Sequence, residues 1–228
     1  MTKHLDRDMD RLHRDILSLC TMVEEMIDKA VLLFCEGRVD LAEEVAQSDR
    51  YVNEQEVRIE DECLKMLALH HPVAVDLRRI ATTVKVNNDL ERIADLAVNI
   101  TERAVGVREF AEFKIPEGVE PMAQLVIHMI RNALDSYVHL DTTAALEVIA
   151  MDDDVDELNA QLIAKLRYTM QHRSDLVTPA LHCFSAIRHL ERIADLATNI
   201  AEDAIYLVDG EIVRHGGITP DPPEGVFR

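Results

Sequence analysis

The sequence predicts an all-α fold of two tandem three-helix bundles, with six long antiparallel helices related by internal duplication. The segment LERIADLAVNITERA at 90–104 recurs as LERIADLATNIAEDA at 190–204, identical at 12 of 15 positions. Self-similarity at a fixed spacing indicates two copies of one structural unit. Apolar residues repeat at helical spacing through most of the chain. Seven Gly and seven Pro in 228 residues are too few for an all-β chain rich in turns.

The first half is expected to form three helices, over 5–34, 41–69 and 73–107. Gly37 is a suitable stop for the first helix, and Asp40 can cap the second. The His-His-Pro run at 70–72 ends the second helix, because a residue before proline is pushed out of the helical region. The third helix contains the first copy of the repeated segment.

The second half repeats this plan, with helices expected over 122–140, 144–171 and 180–208. Asp141, with the two threonines after it, provides a turn and a cap between the first two of these helices. Ser174, Asp175 and Pro179 mark the next break. We therefore divide the chain into a first repeat at 1–112, a linker at 113–119, a second repeat at 120–215 and a flexible tail at 216–228.

The amino-acid composition restricts the kinds of partner that this protein can bind. The formal net charge of −19 disfavours nucleic acid, because phosphate binding needs clustered Lys and Arg. No run of about 18 apolar residues is present, so no direct membrane insertion is expected. The charged N-terminus carries no apolar signal core, and the four cysteines form no CxxC pair. These features predict a cytoplasmic protein with reduced thiols.

Acidic side chains form stripes at helical spacing in both halves. Glu91 and Asp95 recur as Glu191 and Asp195, and the preceding helices carry Asp49 with Asn53 and Asp152 with Asp156. A solvated helix face is one interpretation. However, surface faces normally interleave Lys or Arg, because like charges one turn apart destabilise a helix. Oxygen ligands without Cys or clustered His favour Mg²⁺, Mn²⁺, Ca²⁺ or iron. On a helical wheel the acids of the third helix point away from the core, which predicts a surface site.

Signs of catalysis are missing from the sequence. No E-x-x-H pair occurs, although di-metal carboxylate oxidases build their centres from such pairs. No Gly-rich phosphate loop, G-x-S-x-G element or nucleophile with a matching base is present. We therefore expect a protein that is not an enzyme, and a metal-dependent oxidase conflicts with the missing histidine ligands.

The two LERIADLA segments, each closing a three-helix unit, resemble the PhoU family of phosphate-uptake regulators. The resemblance spans about residues 5–215 and includes ALHHPVAVDLRRI at 68–80, NDLERIADLAVNI at 88–100, HLERIADLATNI at 189–200 and GEIVRH at 210–215. The family commonly has E-R-I-G-D-H-A, whereas both copies here have Ala for Gly and Leu for His, the latter at Leu96 and Leu196.

This resemblance implies a cytoplasmic accessory protein that restrains phosphate uptake and the phosphate-starvation response. The implied partners are the ATPase subunit of the phosphate importer, a membrane sensor histidine kinase and a second copy of the chain in a homodimer. The implied cofactors are divalent or trivalent metal ions, namely iron, Mn, Mg or Zn. The alternative is a purely structural helical adaptor without bound metal.

The resemblance also implies which residues hold the metal. The ligands are Asp49, Asn53, Glu91 and Asp95 in the first half, and Asp152, Asp156, Glu191 and Asp195 in the second. Auxiliary ligands are Glu56, Asn99, Glu102, Asn199 and Glu202.

Overall fold

A computed structural model describes residues 3–210 of the chain. Within these residues the chain forms six α-helices and no strand, as the sequence predicts. The helices are α1 (Lys3–Glu36), α2 (Ala42–His70), α3 (Ala74–Arg108), α4 (Val119–His139), α5 (Thr142–His172) and α6 (Val177–Asp209). The predicted tail at 216–228 lies outside the described residues.

Most helix ends follow the predicted signals. Gly37 has φ 79° directly after α1, and His71 takes the left-handed conformation directly before Pro72, which ends α2. Asp141 caps α5, because its carboxylate accepts the backbone N–H groups of Thr143 and Ala144 at 3.0 and 3.1 Å.

Two predicted boundary residues were wrong. Asp40 does not cap α2, because a 3₁₀ turn at Val39–Leu41 precedes the helix and the Asp40 carboxylate instead pairs with Arg38 at 2.7 Å. Pro179 does not mark a break, because it lies in the first turn of α6, where the missing N–H costs no helical hydrogen bond. Helix α6 consequently begins three residues before the predicted start, and α4, which follows Gly118, also begins three residues before its predicted start.

The helices pack as two three-helix groups, α1–α3 and α4–α6, joined mainly through α3 and α6, with a smaller contact between α1 and α4. The contact between α3 and α6 is the most extensive in the described fold. Both helices are rich in buried alanine at the duplicated segments, among them Ala94, Ala97, Ala194 and Ala197. Small side chains allow two helix backbones to approach closely. The two copies of the repeated segment therefore pack against each other at the centre of the molecule.

The remaining core is mostly aliphatic, and Phe34 and Tyr137 are aromatic residues buried in it. All four cysteines are free thiols, and three of them, Cys20, Cys63 and Cys183, are buried. Burial raises the pKa of each of these three thiols to about 12, so the thiols stay protonated at neutral pH.

No helix in the described part of the chain combines the length and the apolar character needed to cross a bilayer.

Polar contacts set the register of α3 against α6. Lys85 Nζ lies 2.6 Å from Asp203 Oδ1, while Gly106, near the other end of α3, abuts the ring of His182. The two helices are therefore antiparallel.

Asp89 lies beside the Lys85–Asp203 pair and is only 8% exposed. Burial raises the pKa of Asp89 to about 6, with the neighbouring Asp203 adding to the rise.

Replacing Lys85 tests this contact. Lys85→Met keeps a similar stem length but leaves the Asp203 carboxylate, which is 13% exposed, without its cation. We expect the free energy of unfolding to fall by about 1–3 kcal/mol, measured by urea unfolding with circular dichroism. Lys114→Met, at an exposed lysine of the α3–α4 connection, is the matched control and should change stability by less than about 0.5 kcal/mol. Equal losses in both variants would contradict the assignment.

Candidate metal centre

The predicted ligands of the first half meet where α2 packs against α3. We call Asp49, Asn53, Glu91 and Asp95 the first cluster. Within α2, Asn53 Nδ2 donates a hydrogen bond to Asp49 Oδ2 at 3.4 Å. The pKa of Asp49 is raised, first by burial and then by the negative charge of Asp95 on the facing helix. Packing of the two helices therefore brings their carboxylates into one electrostatic site.

Glu91 shows the same coupling from the side of α3. Its pKa is raised by burial and then by the charges of Asp95, Glu56 and Asp49, and these effects exceed the opposing effect of Arg92. Glu56, implied only as an auxiliary ligand, thus faces the first cluster. Its own pKa is raised by burial and by its neighbour Glu60. The first cluster holds more negative charge than the nearby cations balance.

The second cluster consists of Asp152, Asp156, Glu191 and Asp195, where α5 packs against α6. Burial raises the pKa of Asp152 to about 6, and the charges of Asp195 and Asp156 contribute after it. The pKa of Asp195 is also raised by burial and by Asp156, with Arg188 and Arg192 partly opposing the rise. All four predicted ligands of this half therefore share one site.

Besides having Asp156 where the first cluster has Asn53, the second cluster has a basic neighbour that the sequence analysis missed. Arg188 Nη1 donates to Glu191 Oε1 at 2.8 Å, and this arginine partly offsets the rise that burial causes in the pKa of Glu191. The equivalent position in the first half is the exposed Asn88. A basic residue three positions before a predicted helical ligand was the signal that could have revealed this pair.

Both clusters contain buried oxygens without a hydrogen-bond partner in the described part of the chain. These are Asp49 Oδ1 in the first cluster and Glu191 Oε2 in the second. Asn159 Oδ1, at the α5 position equivalent to Glu56, is a third. Buried polar atoms in folded proteins nearly always have a partner. Unpaired acceptor oxygens beside mutually repelling carboxylates are suited to a bound cation.

The chemistry of these residues fits the implied metal ions. The donors are carboxylate and amide oxygens, which hard cations prefer, and raised pKa values mean that a cation would relieve unfavourable charge. Among residues 3–210, however, no three His, Cys, Asp or Glu side chains already converge on one point. The carboxylates share a site but would have to rotate to coordinate an ion together.

The other auxiliary residues are less closely tied to the clusters. Asn99 Nδ2 donates to the backbone carbonyl of Asp95 at 2.8 Å, one turn back along α3. Glu102 and Asn199 are exposed, and Glu202 is partly exposed. None of the raised pKa values in the two clusters is attributable to Glu102 or Glu202.

A groove of about 380 Å³ separates the two clusters along the junction of α3 and α6. We call it the central groove. Four residues from each repeat line it: Arg92, Asp95, Leu96 and Asn99, and Arg192, Asp195, Leu196 and Asn199. The two leucines, which replace the histidine common in the resembled family, are buried. One cluster aspartate from each half therefore faces a shared surface.

Comparison with known proteins agrees with the duplicated architecture. The family model described as the PhoU domain matches residues 16–104 and again 119–204. The phosphate-specific transport system accessory protein PhoU homolog of Aquifex aeolicus is 39% identical over 211 residues, covering 92% of this chain and 96% of the relative. The homolog of Pseudomonas aeruginosa is 33% identical, covering 96% of this chain and 91% of the relative.

Solved structures give the same result. The crystal structure of PhoU from Pseudomonas aeruginosa matches with a TM-score of 0.86 at 33% identity, covering 90% of this chain and 99% of that one. The phosphate transport system regulatory protein PhoU from Streptococcus pneumoniae matches with a TM-score of 0.85 at 26% identity, covering 92% of this chain and 100% of that one. With a duplicated domain match over most of its length and two acidic clusters in equivalent places, this chain belongs to the PhoU family.

Proposed function

We propose that this protein is a non-catalytic regulator of phosphate uptake that binds metal ions through its two carboxylate clusters. The observation that carries the metal proposal is repeated in both halves: a half-buried aspartate of one helix, Asp49 or Asp152, has a raised pKa to which the aspartate on the facing helix contributes, and each cluster contains an unpaired oxygen. A helix pair that keeps this arrangement in both repeats, with Arg188 as a direct basic partner in the second half alone, is suited to hold cations.

The phosphate role rests on the relatives. They are named as accessory proteins of the phosphate-specific transport system. We infer that this chain restrains phosphate uptake and the phosphate-starvation response from the cytoplasm. Its proposed partners are the ATPase subunit of the importer, a membrane sensor histidine kinase and a second copy of the chain in a homodimer.

The positive charge of bound metal ions explains how the two clusters would serve regulation. A protein without catalysis can regulate only by binding two states of a partner with different affinity. Asp49 and Asp95 come from different helices, as do Asp152 and Asp195, so cations held between them would tie α2 to α3 and α5 to α6. The bound ions, whether iron, Mn, Mg or Zn, would supply positive charge to an otherwise acidic surface. Partner binding would then depend on metal loading.

A structural adaptor without metal is the second candidate. The specific observation that favours it is the absence, within residues 3–210, of three ligand side chains already gathered at one point. In that case the acidic stripes keep a helical surface soluble and Arg188 simply pairs with Glu191. The adaptor predicts no stoichiometric metal binding and no loss of binding when cluster acids are replaced.

Single replacements in each half separate these candidates. Asp95→Ala should remove the metal bound by the first cluster, and Asp195→Ala the metal bound by the second, because each variant deletes an anionic oxygen ligand. We expect about half of the bound metal to be lost in each variant, or its affinity to fall at least tenfold. Isothermal titration with Mn²⁺ and elemental analysis after desalting give the stoichiometry.

The matched control for this titration is Asp154→Ala, which removes an exposed acid of α5 outside both clusters. It should bind as much metal as the parent protein. Wild-type protein that takes up no stoichiometric Mn²⁺, Mg²⁺, Zn²⁺ or iron would rule out the metal proposal and leave the adaptor.

Stability without metal should depend on pH at Asp152. Its pKa is raised from 3.8 to about 6 in the folded protein, so the folded state holds the proton more tightly than the unfolded state does. This contribution to stability is fully present below about pH 4 and is lost as the pH rises through about 6. We expect metal-free Asp152→Asn to exceed the parent in stability by about 1 kcal/mol above about pH 7, after allowance for solvent screening at a half-exposed group.

Urea unfolding of chelator-treated protein at about pH 4 and about pH 7.5 measures this difference, which should nearly vanish at the lower pH. The same variant should bind Mn²⁺ more weakly than the parent. A parent protein that is the more stable of the two at about pH 7.5 would mean that Asp152 has favourable partners and no need of a cation.

A further inference from the structure

We propose that the central groove binds a tetrahedral oxyanion of the phosphate class between the two metal clusters, held by Arg92 and Arg192. This inference rests on the proposed metal function, because the groove is lined by one cluster aspartate from each half. The inference adds a ligand of the phosphate class to the proposed metal binding. The two arginines, which took no part in the predicted metal site, are its principal binding residues.

The first argument is the position of the arginines. Arg92 of α3 and Arg192 of α6 line the same groove, and both guanidinium groups are exposed. Because α3 and α6 are antiparallel and carry the same segment, the two arginines approach the groove from opposite repeats. Arginine presents a planar fork of N–H donors, which suits phosphate oxygens. Two forks from opposite sides suit an anion with several oxygens better than a single planar carboxylate.

The second argument is that these donors have spare capacity. Arg92 has one distant ion pair, with Nη1 3.6 Å from Asp89 Oδ1. Within residues 3–210, neither Arg192 nor Asn199 makes a side-chain hydrogen bond or an ion pair. By contrast, Arg188, on the same helix as Arg192, is committed to Glu191 at 2.8 Å. The groove thus offers guanidinium and amide N–H groups that the protein itself leaves largely unused.

The third argument is charge. The groove lining has two arginines and two aspartates, so its formal charges cancel. Cations bound at Asp95 and Asp195 would neutralise the aspartates and leave a net positive site in a chain whose formal charge is −19. Oxyanion binding is therefore expected only when metal is bound. The buried Leu96 and Leu196 give this site an apolar floor.

The shared ligand chemistry is a phosphate group, which free orthophosphate or a nucleotide can supply. A test with Mn²⁺-loaded full-length protein covers both sources, because bound Mn²⁺ accelerates the ³¹P relaxation of any phosphate group that binds beside it. The probes are orthophosphate in one arm and AMP in the other. The Mn²⁺ content of each sample is measured by elemental analysis, and the ultrafiltrate gives the background from unbound ions.

We expect wild-type protein to give saturable ³¹P relaxation with at least one of the two probes. Relaxation of orthophosphate would identify free phosphate as a ligand, and relaxation of AMP alone would identify a nucleotide. The double variant Arg92→Gln/Arg192→Gln should weaken the apparent phosphate affinity at least tenfold while retaining its Mn²⁺. Arg14→Gln/Arg167→Gln removes the same charge at two exposed arginines outside the groove and should behave as wild type.

Two results would overturn the inference while leaving the metal proposal in place. One is normal Mn²⁺ content with no relaxation of either probe beyond the ultrafiltrate. The other is an equal loss in both double variants, which would mean that general charge and not the groove attracts phosphate. A protein that retains no Mn²⁺ at all would overturn the proposed metal function and this inference together, and the elemental analysis distinguishes that case.

Discussion

The packing of α3 against α6 is the interaction on which the rest of the structure depends. Each of these helices also contacts both other helices of its own repeat, so the repeated segments form the centre of the molecule. Their buried stripes of Ala, Ile and Leu leave a single stripe of each helix facing outward, and that stripe carries the acids. Antiparallel packing then places the outward stripes side by side. The central groove follows from this contact, and the two carboxylate clusters on either side of it form where α2 packs against α3 and α5 packs against α6.

The positions of Glu91, Glu191 and Asp195 explain the raised pKa values of these three acids. Glu91 and Asp95 stand at the edge of the core, where α2 covers part of α3, and Glu191 and Asp195 stand equivalently beside α5. Partial burial removes water from the carboxylates without providing enough donors in its place. Stability alone would favour lysine, arginine or a neutral side chain at some of these positions. Their presence in both repeats supports the cation binding proposed above.

Much of this arrangement could be predicted from sequence. The duplication predicted the paired bundles, and the acidic spacing predicted two clusters on α2 with α3 and on α5 with α6. Helix starts were less predictable, because Asp40 resembles a cap but pairs with Arg38, and a proline in a first turn resembles a break. The Arg188–Glu191 pair and the central groove depend on how side chains and whole helices pack. A linear sequence does not specify that the two repeats meet through α3 and α6.

The central claim is that both clusters bind cations, and anomalous scattering from crystals of the Mn²⁺-loaded protein tests it most directly. The account predicts strong anomalous peaks in two places on one face of the molecule. One lies between Asp49 and Asp95, and the other lies between Asp152 and Asp195. A well-ordered, Mn²⁺-saturated crystal with no anomalous peak at either cluster would contradict the account.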